Sequence, residues 1–242
     1  MENKCTQCNS KGVPADHRLG RPPVTSREEL ERIALDLFIR HGFTETTLDD
    51  IASAAGIARR TFFGYYSSKN DVVWGDFDAL LRGMEEWLAQ SNDDRPLLET
   101  LTEAVVRFND LPPDAIPAHR QRMSLILHVP ALQAHSTLRY ADWRNVVARF
   151  AARRLKQRAD ALLPQLIGHL ALGAAVTAYE QWLADESTDL RRLLKAAFGA
   201  LDLRLGNADR AVRRRTAGGP ASGPGLRRRP GGSGGGRPTC ER

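Results

Sequence analysis

Residues Thr47 to Lys69 limit the fold more tightly than any other stretch of the chain. They read as two short helices about a tight turn. Thr47 is a good N-cap, and Asp50 three positions on gives a capping-box-like start. Leu48, Ile51, Ala52 and Ala55 then share one helical face. Gly56 suits the left-handed residue that closes such a helix. A second helix is expected over about 57–66. Within it Phe62 and Tyr66 lie one turn apart and can bury together, while Arg59, Arg60, Phe63 and Gly64 share another face. A small helix with a buried side and an arginine-and-aromatic side suits the DNA major groove.

The flanking chain reads as helical throughout. Thr25 or Ser26 caps a first helix whose Leu30, Ile33, Ala34, Leu37 and Phe38 form an amphipathic stripe ending at Gly42. After Ser68, one long helix is expected over 69–90, then others over 96–110, 119–128 and 136–156. The segment from Pro164 to Ala184 is apolar most of the way round, so it must be buried on several sides. Its Gly168 and Gly173 allow another helix close approach. A last helix follows Asp189, with Leu190, Leu194, Phe198 and Leu201 inward. Four parts result: a basic arm over 1–24, a helix-turn-helix domain over 25–70, a helical body over 71–205 and a tail over 206–242.

Charge separates the body from the tail. The whole chain carries 35 basic and 29 acidic residues, for +6. Nine arginines and two acids make the tail +7, leaving the other residues at −1. DNA affinity in the body must therefore come from a local patch. Arg18, Arg21, Arg27, Arg59, Arg60 and Lys69 are the candidates. The tail is Arg, Gly, Pro and Ser, a composition that cannot build a core, and is expected to be disordered.

Other function classes find little purchase. Cys5 and Cys8 form a lone C-x-x-C, whereas a structural zinc needs four ligands, so no metal is expected. The histidines show no metal-ligand spacing, and P-loop and G-x-G-x-x-G motifs are missing. The chain is not expected to be an enzyme or to carry a cofactor. No apolar run is expected to reach the ~20 residues that span a bilayer, and the polar N-terminus does not read as a signal peptide. These features predict a cytoplasmic protein without a membrane partner.

The run Leu35 to Phe43, Thr46 to Ala52, Ala55-Gly-Ile57, Thr61-Phe-Phe63 and Ser68-Lys69 resembles the TetR family of repressors. Further segments narrow the likeness. Arg60 to Phe63, Trp74 to Asp78, Val129 to Leu138, Tyr140 to Trp143 and Tyr179 to Ala184 resemble the mycofactocin system regulators, a subfamily, over about 18–204. The chain departs from that pattern at Ala58, where the family has Ser or Gly as N-cap, and at Gly64, where Arg is common.

The resemblance implies an all-α fold, with a three-helix DNA-binding head and a helical ligand-binding and dimerisation body. It implies a homodimer paired through the last two helices, bound to a double-stranded operator and released by a small hydrophobic effector. Long-chain acyl-CoA is the effector expected for the subfamily. Control of another regulon, in lipid metabolism or efflux, with a different hydrophobic effector is the alternative; a ligand-binding helical enzyme is a remote one. The DNA-facing candidates are Arg21, Thr47, Arg59, Arg60, Thr61, Phe63, Tyr65 and Lys69. Candidates to line an acyl tunnel are Phe77, Leu81, Met84, Trp87, Phe108, Met123, Leu127, Trp143, Val147 and Phe150, with Arg120 at its mouth. His119, Arg122, Arg139, Arg144, Arg149, Arg153 and Arg154 are expected to extend a basic rim suited to phosphates.

Overall fold

A computed structural model describes residues 25–201, all of whose regular elements are helical. Arg21, the arm, Cys5, Cys8 and the tail lie outside those residues.

The head is built from α1 (Arg27–His41), α2 (Leu48–Ala54) and α3 (Arg59–Phe62). Ser26 caps α1 through the Glu29 amide, and Thr47 and Asp50 form a full capping box on α2. Gly56, at φ +64°, makes the turn into α3. Leu30, Phe38, Ile51, Phe62 and Tyr66 meet in the head's core. The expected second helix is shorter than its sequence pattern. Ala58 offers no side-chain cap, and beyond Phe62 the chain tightens, the Gly64 amide bonding to Thr61 and the Tyr65 amide to Phe62.

The helix expected over 69–90 is two helices, α4 (Lys69–Trp74) and α5 (Phe77–Gln90). Gly75 parts them at φ +56°, a backbone geometry open to glycine and costly to other residues. There follow α6 (Leu97–Phe108), a 3-10 turn (Pro113–Ala115), α7 (Ile116–His128) and α8 (Pro130–Leu155). Pro130 begins α8 rather than only ending α7, because its missing N–H falls at a position that needs none. The chain closes with α9 (Leu162–Ala184) and α10 over residues 190–201.

The body packs around α8 and α9. A Cβ on Gly168 would lie 2.9 Å from the Arg144 carbonyl oxygen, so glycine lets α9 press onto α8 there. Ala171, Ala175 and Ala178 continue that buried face. By length and composition α9 could cross a membrane, contrary to the sequence expectation. In the fold it is instead a packing helix with two working sides. Its other side leaves Leu162, Leu166 and Leu170 exposed.

Candidate DNA-binding surface and effector cavity

On the head, Arg60, Thr61 and Phe63 project from α3 into solvent, with Phe63 47% exposed. Arg59 is also exposed but pairs with Asp49 of α2 at 3.1 Å. The Arg59 guanidinium lies 5.9 Å from the Phe63 ring centre. These residues form one accessible edge fit for a groove.

Three other candidates have their polar groups engaged within the head. The Thr47 hydroxyl is used within the capping box. The Tyr65 hydroxyl donates to the Thr25 carbonyl at 2.8 Å, holding the start of α1. Lys69 donates to the carbonyls of Phe43, Thr44 and Thr46 at 2.8, 3.3 and 3.0 Å. Burial pushes its pKa down. The sequence made Lys69 a DNA candidate from its place at a helix N-terminus; in the fold three carbonyls of the α1–α2 loop take its ammonium.

Within the body, a cavity of about 280 Å³ lies between α4–α5, α6, α7, α8 and α9. Of the sequence candidates, Phe77, Phe108, Met123, Leu127 and Trp143 form its wall. Leu81, Met84, Val147 and Phe150 are buried away from it, as core. Trp87 is outside too, with the Arg107 guanidinium 5.1 Å from its ring centre. Helical periodicity marks inward residues but does not say which inward residues border a void, hence the difference.

The sequence reading missed Trp74, Leu80, Asn109 and Tyr140, and the α9 residues Leu172, Ala175, Val176 and Tyr179. The α9 set falls at helical spacing, a signal absorbed by the dimer reading. A polar chain crosses the wall: the Tyr179 hydroxyl donates to Asn109 Oδ1, and His119 Nε2 lies 2.8 Å from that hydroxyl. A hydroxyl has one proton, so His119 Nε2 is the donor to Tyr179. Burial, helped by the charge of Arg122, lowers the His119 pKa to about 4, so the ring is neutral at pH 7. Burial raises that of Tyr179.

The expected arginine rim is largely committed elsewhere. Arg139 pairs with Asp78 and Asp71, Arg149 with Glu85, and Arg122 with Glu31. Arg153 donates to the Leu88 carbonyl, and Arg154, 8% exposed, to those of Asp93 and Arg95. Arg120 donates to the Trp182 carbonyl and stacks on its ring, 4.2 Å from the centre. Arg120 lines a second, wider chamber of about 620 Å³ that shares the wall residues Asn109 and Leu111 with the first. That chamber holds Arg120 and Arg191 against Asp110, Glu186 and Asp189. Among the described residues no group of three or more His, Cys, Asp or Glu side chains could hold a metal.

A helix-turn-helix head with an exposed basic edge, on a helical body enclosing an apolar cavity, defines a ligand-responsive class of DNA-binding regulator. Two family models match the chain: "Bacterial regulatory proteins, tetR family" over residues 32–73 and "MftR C-terminal domain" over 95–206. The proposed mycofactocin biosynthesis regulator MftR of Mycobacterium tuberculosis is 43% identical over 186 residues, 77% of this chain and 94% of that protein. The fatty acid degradation regulator FadR of Bacillus halodurans superposes with a TM-score of 0.55 at 16% identity, over 75% of this chain and 96% of that one. FadR of Bacillus subtilis, in complex with stearoyl-CoA, gives 0.52 at 15% identity, over 73% and 97%. The chain belongs to the TetR family and is a transcriptional regulator, not an enzyme.

Proposed function

We propose that this regulator represses mycofactocin biosynthesis genes as a homodimer and leaves its operator when a long-chain acyl-CoA enters the body. The 43% identity to MftR, running over 94% of that protein, carries the regulon. The effector class rests on the cavity, whose wall is aromatic and aliphatic apart from a few polar groups, as ligand sites are. Leu80, 53% exposed, gives the wall an edge at the surface. The adjoining chamber adds room for the part of a head group that extends past the cavity. A protein of this fold, the Bacillus subtilis FadR, is known with stearoyl-CoA bound. The exposed α9 leucines and α10 supply the subunit contact.

A second reading has one observation in its favour. The wider chamber carries three acids against two arginines, which opposes a polyanionic coenzyme A head. A hydrophobic effector with a smaller head then fits better. Labelled DNA from upstream of the gene, titrated with stearoyl-CoA, stearate and free coenzyme A, separates the readings. Release by stearoyl-CoA and far less by coenzyme A supports the first. Release by stearate alone supports the second, and release by none removes the acyl class.

A further inference from the structure

We propose that Arg122 is the effector's point of action: an amphiphile in the cavity sets an anionic head on Arg122, draws it off Glu31, and so loosens the DNA-binding head. This rests on the reading of the cavity as the effector site.

Among the described residues, Arg122 is the one permanent charge on the cavity wall, since His119 is neutral there. It is also a contact between body and head. Its Nη2 lies 2.6 Å from Glu31 Oε2 of α1, with the two side chains 22% and 15% exposed. The other Glu31 oxygen accepts from the Tyr66 hydroxyl at 2.6 Å. Tyr66 packs 6.2 Å from Phe62, the buried residue of α3. A short physical route thus runs from cavity to Arg122, Glu31, Tyr66 and the helix offered to DNA. The joint between α4 and α5 closes over the ion pair. A Cβ on Gly75 would fall against the Arg122 guanidinium and the Glu31 carboxylate. Other ion pairs cross between the elements, such as Arg139 with Asp71, but Arg139 is not in the cavity wall.

The chemistry of the wall selects the ligand. His119, Tyr179 and Asn109 use their hydrogen-bonding groups on one another, and the Asn109 amide donates to the Val105 carbonyl. Trp74 Nε1 and the Tyr140 hydroxyl are buried in the wall without a partner, but both are neutral donors. An anionic head entering the cavity finds its charged partner in Arg122, through a planar fork that suits a carboxylate or a phosphate. Only Nη2 bonds Glu31, so a ligand can take the rest of the fork, and its charge then competes with Glu31 for the one guanidinium and weakens the pair. A Glu31 left half-paired in a mostly buried place is disfavoured, so the head moves or loosens. Linkage makes the effect mutual: DNA weakens ligand binding by the factor by which ligand weakens DNA binding. An uncharged amphiphile of the same length fills the cavity without touching the pair.

The full-length protein tests this with three probes: stearate, stearoyl-CoA and methyl stearate. Quenching of Trp74 and Trp143 reports filling of the cavity, labelled upstream DNA reports release, and hydrogen exchange of 27–66 reports loosening of the head. Stearate or stearoyl-CoA should lower DNA affinity on the order of 10- to 100-fold. Methyl stearate should quench without release. Arg122→Met should raise exchange in the head and weaken DNA binding before any probe is added. Glu31→Arg with Arg122→Glu should restore both, and stearylamine rather than stearate should release it. Parent-like exchange and DNA binding in Arg122→Met would overturn the latch, as would release by methyl stearate equal to that by stearate. Should neither anionic probe quench, the ligand half falls. The exchange data on the Arg122→Met and reversed-pair proteins then decide the latch by themselves.

Discussion

The Lys69 ammonium lies 2.8 Å from the Phe43 carbonyl oxygen and 4.5 Å from the centre of the same residue's ring. Two further carbonyls, of Thr44 and Thr46, complete its shell. A lysine held this way fixes the loop between α1 and α2, and so the angle at which α2 and α3 are presented. Lys69→Met leaves those carbonyls short of a donor. Hydrogen bonds from a charged group contribute ~1.5–3 kcal/mol, so the substitution should cost about that in thermal or denaturant unfolding. In protein kept folded, the salt dependence of DNA binding should stay at the parent slope. A slope reduced by about one would mean that Lys69 reaches a phosphate after all.

Arg60 and Arg59 are neighbours with unequal freedom. Arg60 is exposed and has no ion pair among the described residues, whereas Arg59 must leave Asp49 to reach DNA. Arg60→Ala should cost ~1–3 kcal/mol in operator affinity if the residue reads a guanine. Arg59→Ala should cost less, and Asp49→Asn should strengthen binding by freeing Arg59 and removing a charge that repels phosphate. Fluorescence anisotropy with operator and scrambled DNA gives all three. Unchanged affinity in Arg60→Ala would move the contact to another residue.

Most of the head was legible in the sequence because its signals are local. The Thr47–Asp50 capping box, Gly56 at the turn and the Phe62–Tyr66 pair each lie within five residues. The break at Gly75 was not, since the apolar pattern runs straight through it. Its positive φ and the close approach of Arg122 and Glu31, both set by the folded chain, show why a glycine stands there. The cavity was half legible: Phe77, Phe108, Met123, Leu127 and Trp143 border it, but Met84, Val147 and Phe150 share their pattern and fill the core. The arginines misled for a physical reason. A sequence shows a cluster of charge, whereas the acids and carbonyls that occupy it, such as Glu85 for Arg149, come from distant helices.

The outer side of α9 makes the assembly testable. Leu162, Leu166 and Leu170 are 84%, 45% and 38% exposed on a helix whose opposite side is fully packed. A stripe of that kind asks for a partner, and a two-fold copy gives a self-complementary one. Leu166→Arg with Leu170→Arg should turn a dimer into a monomer in sedimentation at micromolar concentration. Helical content should be retained, because neither side chain belongs to the core. Operator affinity should fall on the order of 100-fold, as two linked heads become independent. A parent that sediments as a folded monomer would sink the interface.

His119 predicts an acid limit to stability. Burial and the nearby Arg122 charge hold its pKa at about 4, against 6.5 for the free side chain. Between those values the unfolded chain binds a proton that the folded one refuses, so stability falls as pH drops from about 6.5 toward 4. Above that window the folded state keeps its full margin; below it both states are protonated and the loss levels off. A shift of this size corresponds to at most ~3.4 kcal/mol at 1.36 kcal/mol per unit, and solvent reaching the mostly buried ring reduces it. Other histidines and the carboxylates titrate nearby, so the comparison must be with His119→Gln, which keeps an N–H to offer the Tyr179 hydroxyl. Denaturant unfolding at pH 7.5, 6, 5 and 4.5 should show the parent losing stability more steeply than the variant, by up to one proton's slope. Parallel curves for the two proteins would mean that His119 takes up its proton as readily in the folded state as in the unfolded one.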